Sequence, residues 1–180
     1  MNRKILIVVD MQNDFITGAL GSTEAQAIVP NVVEKVKNWN GEIFYTRDTH
    51  YSDYFDTLEG VKLPILHCVK TSKGWEIIDE LLPNIKHKYN IIDKNTFGFE
   101  NWKHYLALDE EEPYFSEEFE FELCGVCTDI CVVSNALALR MFYPDTKITV
   151  DASCCAGVTP EKHAAALEVM KSCQIDVINE

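Results

Sequence analysis

The sequence predicts a three-layer α/β/α fold around a six-stranded parallel sheet, of the Rossmann-like type. Apolar runs rich in β-branched residues alternate with segments of helical periodicity along the whole chain. Runs such as Ile5–Val9 are apolar at every position, which is typical of strands that helices cover on both faces. Right-handed crossovers between such strands produce a doubly wound sheet, and we expect a single domain spanning residues 1–180.

The elements follow in order along the chain. The predicted strands are Lys4–Val9, Glu42–Thr46, Lys88–Ile92, Glu120–Leu123, Lys147–Val150 and Ile175–Ile178. The predicted helices lie near Glu24–Asn38, Gly74–Leu82, Glu100–Leu106, Thr128–Met141 and Pro160–Ser172. The last helix has a clear start, because Thr159 can cap it and Pro160 suits its first position. The acidic run 109–112 is expected to form a solvated loop before the fourth strand.

Composition and charge exclude several classes of function. With 180 residues, 47% of them hydrophobic, the chain can bury a substantial core. Its formal net charge of −13 argues against nucleic acid and anionic membranes as partners. We see no apolar stretch long enough to span a membrane and no signal peptide, so we expect a cytoplasmic protein. The seven cysteines, an odd number, fit a reducing compartment better than a disulfide framework.

The segment 123–137 carries the strongest chemical signal. It has the pattern of a buried strand, a tight turn and a helix with a cysteine in its first turn. Such a cysteine faces unpaired backbone N–H groups and the positive end of the helix dipole, and both favour thiolate over thiol. The same N–H groups could hold the oxyanion that forms when sulfur attacks a carbonyl. The pattern therefore predicts a nucleophilic cysteine on a strand-to-helix turn.

Polar residues follow four of the predicted strands. They are Asp10 after the first strand, Asp48 and His50 after the second, Lys94 after the third, and Cys127 and Cys131 after the fourth. The carboxyl ends of parallel strands meet at one edge of the sheet, which is where ligands bind in folds of this class. We therefore expect these side chains to form one site.

Five segments of the chain together carry a resemblance to a known protein family. They are Val9–Phe15, Thr46–His50, Leu63–Pro64 with His67–Cys68, Asp93–Phe99 and Gly125–Val132. The set resembles the isochorismatase-like cysteine hydrolases, and within them the nicotinamidase/pyrazinamidase branch. The resemblance runs almost end to end. It implies the family's six-stranded parallel sheet, a non-proline cis peptide bond between Val126 and Cys127, and hydrolysis of nicotinamide to nicotinate and ammonia.

The resemblance also implies a role for each catalytic residue. Cys131 would attack the amide carbon and form a thioester that water hydrolyses. Asp10 would take the thiol proton and later deliver it to the leaving amine. Lys94 would balance charge and lower the pKa of both neighbours. The backbone N–H groups of Cys127 and Cys131 would form the oxyanion hole.

The resemblance further implies a divalent metal ion that holds the pyridine nitrogen of the substrate. Its ligands would be Asp48, His50 and His67, with Glu59 as the candidate fourth ligand and Asp56 behind it. This donor set suits zinc first, and also iron or manganese. The candidate walls of the substrate pocket are Phe15, Leu20, Phe97 and Val126, with Trp75 and Phe99 as further candidates.

The chain departs from its relatives at Leu63–Leu66, where many of them carry an aromatic residue and paired prolines. The aromatic residue that stacks on the substrate ring therefore stays open. A sister amidase acting on a carbamoyl or maleamate compound, without a metal, is an alternative function. A catalytically silent binding module on the same scaffold is another. A small amide is the expected partner, and the sequence leaves both a monomer and a homo-oligomer open.

Each candidate residue also has a purely structural interpretation. Asp10 could close a turn, Lys94 could be solvated, and Cys131 could be an inert core thiol. The spacing of Cys124, Cys127 and Cys131 also suggests a metal or cluster site, although no suitably spaced fourth thiolate accompanies them. The proposed roles depend on these side chains meeting at one edge of the sheet.

Overall fold

A parallel β-sheet forms the centre of the protein, whose structure is a computed structural model describing residues 3–106 and 119–180. Its strands are β1 (Arg3–Val9), β2 (Glu42–Asp48), β3 (Ile91–Lys94), β4 (Phe119–Val126), β5 (Lys147–Ala156) and β6 (Asp176–Ile178). All neighbouring strands are parallel, in the order β3-β2-β1-β4-β5-β6. The predicted six-stranded parallel sheet is confirmed. The acidic run 109–112 lies outside the described residues.

Helices cover both faces of this sheet. They are α1 (Asn13–Ile16), α2 (Thr23–Asn38), α3 (Leu58–Lys62), α4 (Trp102–Leu106), α5 (Val133–Phe142) and α6 (Pro160–Ser172). α2 contacts β4 and β5, whereas α5 contacts α4, α6 and β5. Right-handed crossovers place α2 on one face and the α4–α6 group on the other, which gives three layers. No helix within the two described ranges is long and apolar enough to cross a membrane.

β1 and α2 show how the sequence pattern becomes a buried core. From Ile5 to Val9 every β1 side chain is at most 1% exposed, because strands pair with β1 on both sides and helices cover its faces. Ser22 caps α2 by accepting a hydrogen bond from the Ala25 N–H at 3.0 Å. The buried positions of α2 repeat at helical spacing and are Ala25, Ile28, Val32 and Val36.

The predicted helix Gly74–Leu82 is wrong. Instead, the Asn13 N–H donates to the Glu76 carbonyl and the Ile78 N–H donates to the Met11 carbonyl, each at 3.0 Å. Ile77 forms an antiparallel bridge with Gln12. The backbone groups that a helix would use internally are therefore committed to the chain that follows β1. Within this region only Leu82–Asn84 is helical, as a 3₁₀ turn.

Other element boundaries differ from the predicted ones for similar reasons. β3 begins three residues later than predicted, because Lys88–Asn90 forms a 3₁₀ turn. Pairing with β2 then places Lys94 opposite Asp48. β4 and β5 run beyond their predicted ends, since they pair with each other as far as Val126 and Ala156. The predicted fourth helix begins as a π-helical turn, Thr128–Val132, that leads into α5.

Candidate active site

Three buried ionisable side chains meet at the carboxyl edge of the sheet. Asp10 directly follows β1, Lys94 ends β3, and Cys131 lies in the π-helical turn after β4. Lys94 Nζ lies 2.7 Å from Asp10 Oδ2 and 3.6 Å from Cys131 Sγ. The side chains of Asp10 and Lys94 are both 0% exposed. The structure therefore brings together the carboxylate, ammonium and thiol that the sequence placed on three different strands.

Local backbone geometry positions Asp10 and the end of β4. Thr46 Oγ1 donates to Asp10 Oδ1 at 2.6 Å, and the Asp10 N–H donates to the Thr46 carbonyl at 3.2 Å. Gly125 has a φ of +115°, and a Cβ there would lie 2.1 Å from the Val9 carbonyl oxygen. Only glycine permits this approach of β4 to β1. The peptide bond between Val126 and Cys127 is cis, as the family resemblance implies.

Asn135 is a positioning residue that sequence reasoning missed. It is fully buried in α5, and its Nδ2 donates to the Cys131 carbonyl at 2.8 Å. Its Oδ1 accepts from the Phe99 N–H and the Trp102 Nε1–H, both at 2.9 Å. One side chain thus ties the cysteine turn to the chain after β3. A lone Asn four residues after Cys131 in an apolar helix was the available signal, because buried amides need partners.

The electrostatics correct the expectation of a thiolate in the resting protein. Burial raises the pKa of Cys131 well above its ordinary range and the nearby Asp10 carboxylate raises it further, while Lys94 only partly offsets both. Burial also raises the pKa of Asp10, against the opposing charge of Lys94. Burial alone would lower the pKa of Lys94, but the nearby acidic groups raise it, so the ammonium is kept. Burial and Asp10 therefore outweigh Lys94 in their effect on the pKa of this thiol.

A second group of four ionisable side chains lies next to this triad. Asp48 ends β2, His50 and His67 lie on loops, and Glu59 lies in α3. One ligand atom from each of them can be chosen so that all four lie within 4.8 Å of one another. Asp48 Oδ2 is 2.8 Å from His50 Nε2 and 3.4 Å from His67 Nε2. Glu59 Oε1 is 3.7 Å and 3.8 Å from the same two nitrogens.

This second group fits a divalent metal ion. His50 Nε2 is buried. Although Asp48 Oδ2 lies 2.8 Å away, the angles do not form a hydrogen bond, so this nitrogen has no hydrogen-bond partner among the described residues. The Nδ1 of His67 lies 2.8 Å from the Ile65 carbonyl, a contact that leaves Nε2 as the free ligand atom. Ligand atoms about 2.0–2.2 Å from one ion lie about 3–4 Å apart, which matches the distances here. Asp56 is exposed and does not belong to the group.

The charges within this second group offset one another. Burial alone would raise the pKa of Asp48, but its contacts with His50 and His67 lower that pKa below its ordinary value. Burial raises the pKa of Glu59, and the nearby Asp48 carboxylate adds to the effect. Two carboxylates therefore share one small volume with two imidazoles. Carboxylate oxygens and imidazole nitrogens arranged in this way suit a divalent ion such as zinc, iron or manganese.

One cavity of about 310 Å³ joins the two groups. Its lining contains Cys131 together with Asp48, Glu59 and His67 of the second group. The four predicted walls, Phe15, Leu20, Phe97 and Val126, all line it, and so do Leu63 and Ile130, which were not predicted. The further candidates Trp75 and Phe99 lie elsewhere: Trp75 packs under Arg47, and Phe99 packs against Trp102.

The cysteines show no cluster site. All seven are free thiols. Cys124 is fully buried in β4, and its electrostatic neighbours among the cysteines are Cys155 and Cys154. Within residues 3–106 and 119–180, the group of Asp48, His50, Glu59 and His67 is the one set of side chains arranged to hold a metal. The alternative of a cysteine-ligated metal therefore finds no support in the described residues.

Known proteins share this fold at modest sequence identity. Residues 4–180 match the isochorismatase domain family. The nicotinamidase of Saccharomyces cerevisiae is 25% identical over 220 aligned residues, covering 98% of this chain and all of the yeast protein. A protein of Arabidopsis thaliana described as a probable inactive nicotinamidase is 27% identical over 178 residues, covering 93% of this chain and 87% of its own length. The crystal structure of the pyrazinamidase of Pyrococcus horikoshii in complex with zinc matches with a TM-score of 0.78 at 26% identity, covering 99% of each chain.

The fold and these matches define a hydrolase built on a six-stranded parallel sheet with helices. The chain belongs to the isochorismatase family. Within that family it is an amidohydrolase with nicotinamidase homologues. The resemblance noted from the sequence motifs is confirmed.

Proposed function

We propose that the protein is a metal-dependent nicotinamidase, hydrolysing nicotinamide to nicotinate and ammonia through a thioester on Cys131. The observation that supports this most directly is one cavity of about 310 Å³ whose lining contains Cys131 together with Asp48, Glu59 and His67. Asp48, His50, Glu59 and His67 are together called the ligand group. A small aromatic amide can then meet both groups at once, with its amide at the thiol and its ring nitrogen at the ligand group. The apolar walls suit the faces of a pyridine ring.

Acylation begins with proton transfer inside the buried triad. Asp10 accepts the proton of Cys131 Sγ as the sulfur attacks the amide carbon, and a C–S bond forms. Lys94, 3.6 Å from the sulfur, stabilises the negative charge during transfer. The backbone N–H groups of Cys127 and Cys131 stabilise the oxyanion. The C–N bond then breaks, Asp10 returns its proton to the leaving nitrogen, and ammonia departs.

Deacylation uses the same base. Asp10 takes a proton from a water molecule, and the resulting hydroxide attacks the thioester carbon. The C–S bond breaks, and the proton passes from Asp10 back to the sulfur of Cys131. The nicotinic acid so formed gives its proton to solvent and leaves as nicotinate, and the thiol, carboxylate and ammonium regain their resting charges. Each residue of the triad is therefore regenerated after one turnover.

Asp48, His50, Glu59 and His67 would hold the metal ion, for which we propose zinc. When bound, the ion would supply a Lewis acid to which the pyridine nitrogen can bind, and this would orient the ring. The Pyrococcus horikoshii pyrazinamidase, whose structure contains zinc, supports this assignment. Glu59 rather than Asp56 is proposed as the fourth ligand because its carboxylate faces both imidazoles.

A sister amidase and a silent binding module are the competing functions. The four clustered ligand residues favour the nicotinamidase over a metal-free sister amidase. The contacts between Asp10, Lys94 and Cys131 favour an enzyme over a silent module, although the Arabidopsis relative is described as probably inactive.

An amide panel tests the proposal. Ammonia release is measured from nicotinamide, pyrazinamide, benzamide and a maleamate-type amide, with and without a chelator. We expect hydrolysis of the first two, little of benzamide because it has no ring nitrogen, and loss of activity with chelator. Full activity on nicotinamide in exhaustively metal-free protein would overturn the ligand assignment and favour the sister amidase. No hydrolysis of any amide by the zinc-loaded protein would favour the silent module.

A further inference from the structure

Gln12 is buried next to the ligand group but is not part of it. The side chain is fully buried, two residues after Asp10. Its Oε1 accepts the Asp48 N–H at 2.8 Å, and its Nε2 donates to the Asp48 carbonyl at 2.8 Å. The same Nε2 donates to the Trp75 carbonyl at 2.9 Å. The amide of Gln12 therefore binds both backbone groups of Asp48, as a neighbouring strand would.

This arrangement matters because β2 ends at Asp48. Asp48 pairs with Lys94 on one side, but on its β1 side it lies beyond the last paired residues, Val8 and Tyr45, and has no strand partner there. Gln12 satisfies the two backbone groups at the residue that carries the carboxylate, which holds Asp48 Oδ2 toward His50 and His67. The three hydrogen bonds of the Gln12 side chain all go to backbone atoms of Asp48 and Trp75, and none goes to a metal-ligating side-chain atom.

Asp14 plays the corresponding part on the other side of the ligand group. Its Oδ2 accepts the N–H of Cys68, the residue after His67, at 2.7 Å. Cys68 has a φ of +46°, an unusual conformation for a non-glycine residue that needs support from its neighbours. Asp14 also packs against Gly74, where a Cβ would lie 2.1 Å from Asp14 Oδ2. The carboxylate is therefore enclosed and directed at the loop of His67.

The two loops are also bonded to each other. The His50 N–H donates to the Cys68 carbonyl, and the Lys70 N–H donates to the His50 carbonyl, both at 2.9 Å. A shift of either loop therefore moves His50 and His67 together. The segment 12–14 holds this pair of loops at two separate points, Asp48 and Cys68.

We infer that Gln12 and Asp14 are positioning residues that preorganise Asp48 and His67 for a divalent cation. The inference rests on the metal site of the proposed function. Neither residue contacts the cation or the substrate; each acts through the backbone of a ligand loop. Partners of this kind typically change metal affinity by about 10–100-fold when they are removed.

Gln12→Met tests the first contact, because methionine is similar in size and removes all three hydrogen bonds. The affinity of the full-length protein for Zn²⁺ alone is measured by competition with a chromophoric chelator. We expect binding about 10–100-fold weaker than in the wild type. Gln26→Met is the matched control, because Gln26 is exposed on α2, and it should bind Zn²⁺ as the wild type does.

Asp14→Ala and Asp14→Asn form a second, independent pair. Alanine removes the acceptor for the Cys68 N–H, whereas the amide oxygen of asparagine restores one acceptor of the same reach. We expect weaker Zn²⁺ binding in Asp14→Ala and a recovery toward wild type in Asp14→Asn. Asp14 is less buried than Gln12, so this pair decides the matter if Gln12→Met does not fold.

A selectivity measurement separates positioning from general damage to the fold. The ratio of kcat/KM for nicotinamide to that for benzamide should fall in Gln12→Met and Asp14→Ala, since only nicotinamide has the ring nitrogen. Wild-type Zn²⁺ affinity in a folded Gln12→Met protein, or equal affinity in the two Asp14 variants, would overturn the inference. Zn²⁺ affinity needs no substrate, so a protein inactive on nicotinamide would refute the proposed function and leave this test intact.

Discussion

At the scale of single residues, the chemistry depends on charges that balance only as a set. Asp10, Lys94 and Cys131 are all buried, and without its partner either Asp10 or Lys94 would leave an uncompensated buried charge. Lys94 is paired with Asp10 at 2.7 Å, and burial together with the Asp10 carboxylate raises the pKa of Cys131. In the proposed mechanism, Cys131 is therefore activated by proton transfer to Asp10 rather than by a permanently lowered pKa.

Replacing the two cysteines separately distinguishes a side-chain role from a backbone role. Cys131→Ala should lower kcat for nicotinamide by about 10⁴-fold or more, because no other group can form the thioester. Cys127→Ala should stay within about tenfold of wild type, since alanine keeps the backbone N–H of the oxyanion hole. Ammonia release and circular dichroism check activity and fold. Equal losses in both variants would contradict Cys131 as the sole nucleophile.

Thr46→Val should move the acid limb of the pH profile of kcat/KM to higher pH. The Thr46 hydroxyl donates to Asp10 and lowers the pKa of a carboxyl that burial has raised above 3.8. Removing the hydroxyl raises this pKa further, and Asp10 can accept the thiol proton only above it. Thr23→Val, an exposed change on α2, is the control. An unchanged or lower acid limb would contradict Asp10 as the base.

At the scale of elements, an ion-pair cluster fastens α2 to the sheet. Lys35 of α2 binds Glu122 of β4 and Asp151 of β5, the latter at 2.7 Å, and its side chain is only 16% exposed. Burial alone would raise the pKa of Asp151, but the ammonium lowers it below its ordinary value. These ion pairs link α2 to β4 and β5 in addition to the apolar contacts of the helix.

Lys35→Met should destabilise the fold by about 2–3 kcal/mol at neutral pH, because two carboxylates would lose their shared cation. The pKa of Asp151 is depressed in the folded wild type, so the stabilisation is present above its unfolded value and lost as pH falls through the folded value. The difference between variant and wild type should therefore shrink in acid. Urea unfolding at several pH values measures it, with exposed Lys37→Met as the control. A constant difference would contradict the ionic origin.

At the scale of the whole molecule, the site lies where the strand order reverses. The chain leaves β1 toward β2 and β3, and leaves β4 toward β5 and β6, so a crevice opens between the carboxyl ends of β1 and β4. Asp10 borders this crevice on one side and Cys131 on the other. The ligand group adds loops from the β2 side. Metal binding should therefore stabilise segments that are far apart in sequence.

Zn²⁺ at about 100 times its dissociation constant should stabilise the wild type by about 2.7 kcal/mol. For a protein of this size the melting temperature should rise by about 5–10 °C. His50→Ala should abolish the rise, and Glu59→Ala should reduce it if Glu59 is the fourth ligand. Thermal melts with and without Zn²⁺ provide the measurement. A full shift in His50→Ala would place the ion elsewhere.

The sequence by itself determined that the sheet is parallel and six-stranded, the approximate place of each strand, and the polar residues that follow four of them. Apolar runs such as Ile5–Val9 and the Thr159–Pro160 helix start are local signals. The motif residues after four of the strands meet because parallel strands end at one edge of the sheet. The strands and helix starts depend on residues within a few positions of one another, so the order of residues along the chain is enough to predict them.

Only the tertiary structure decided what depends on remote partners. The region 74–82 is not helical because the backbone from Met11 to Asn13 binds it, and no local periodicity records that contact. The pKa of Cys131 is raised because burial and Asp10 outweigh Lys94 and the turn, a balance of groups from three strands. Gln12 and Asn135 have side-chain partners 33 to 63 residues away along the chain. Hydrogen bonds and desolvation act through space, so these features appear only once the chain is folded.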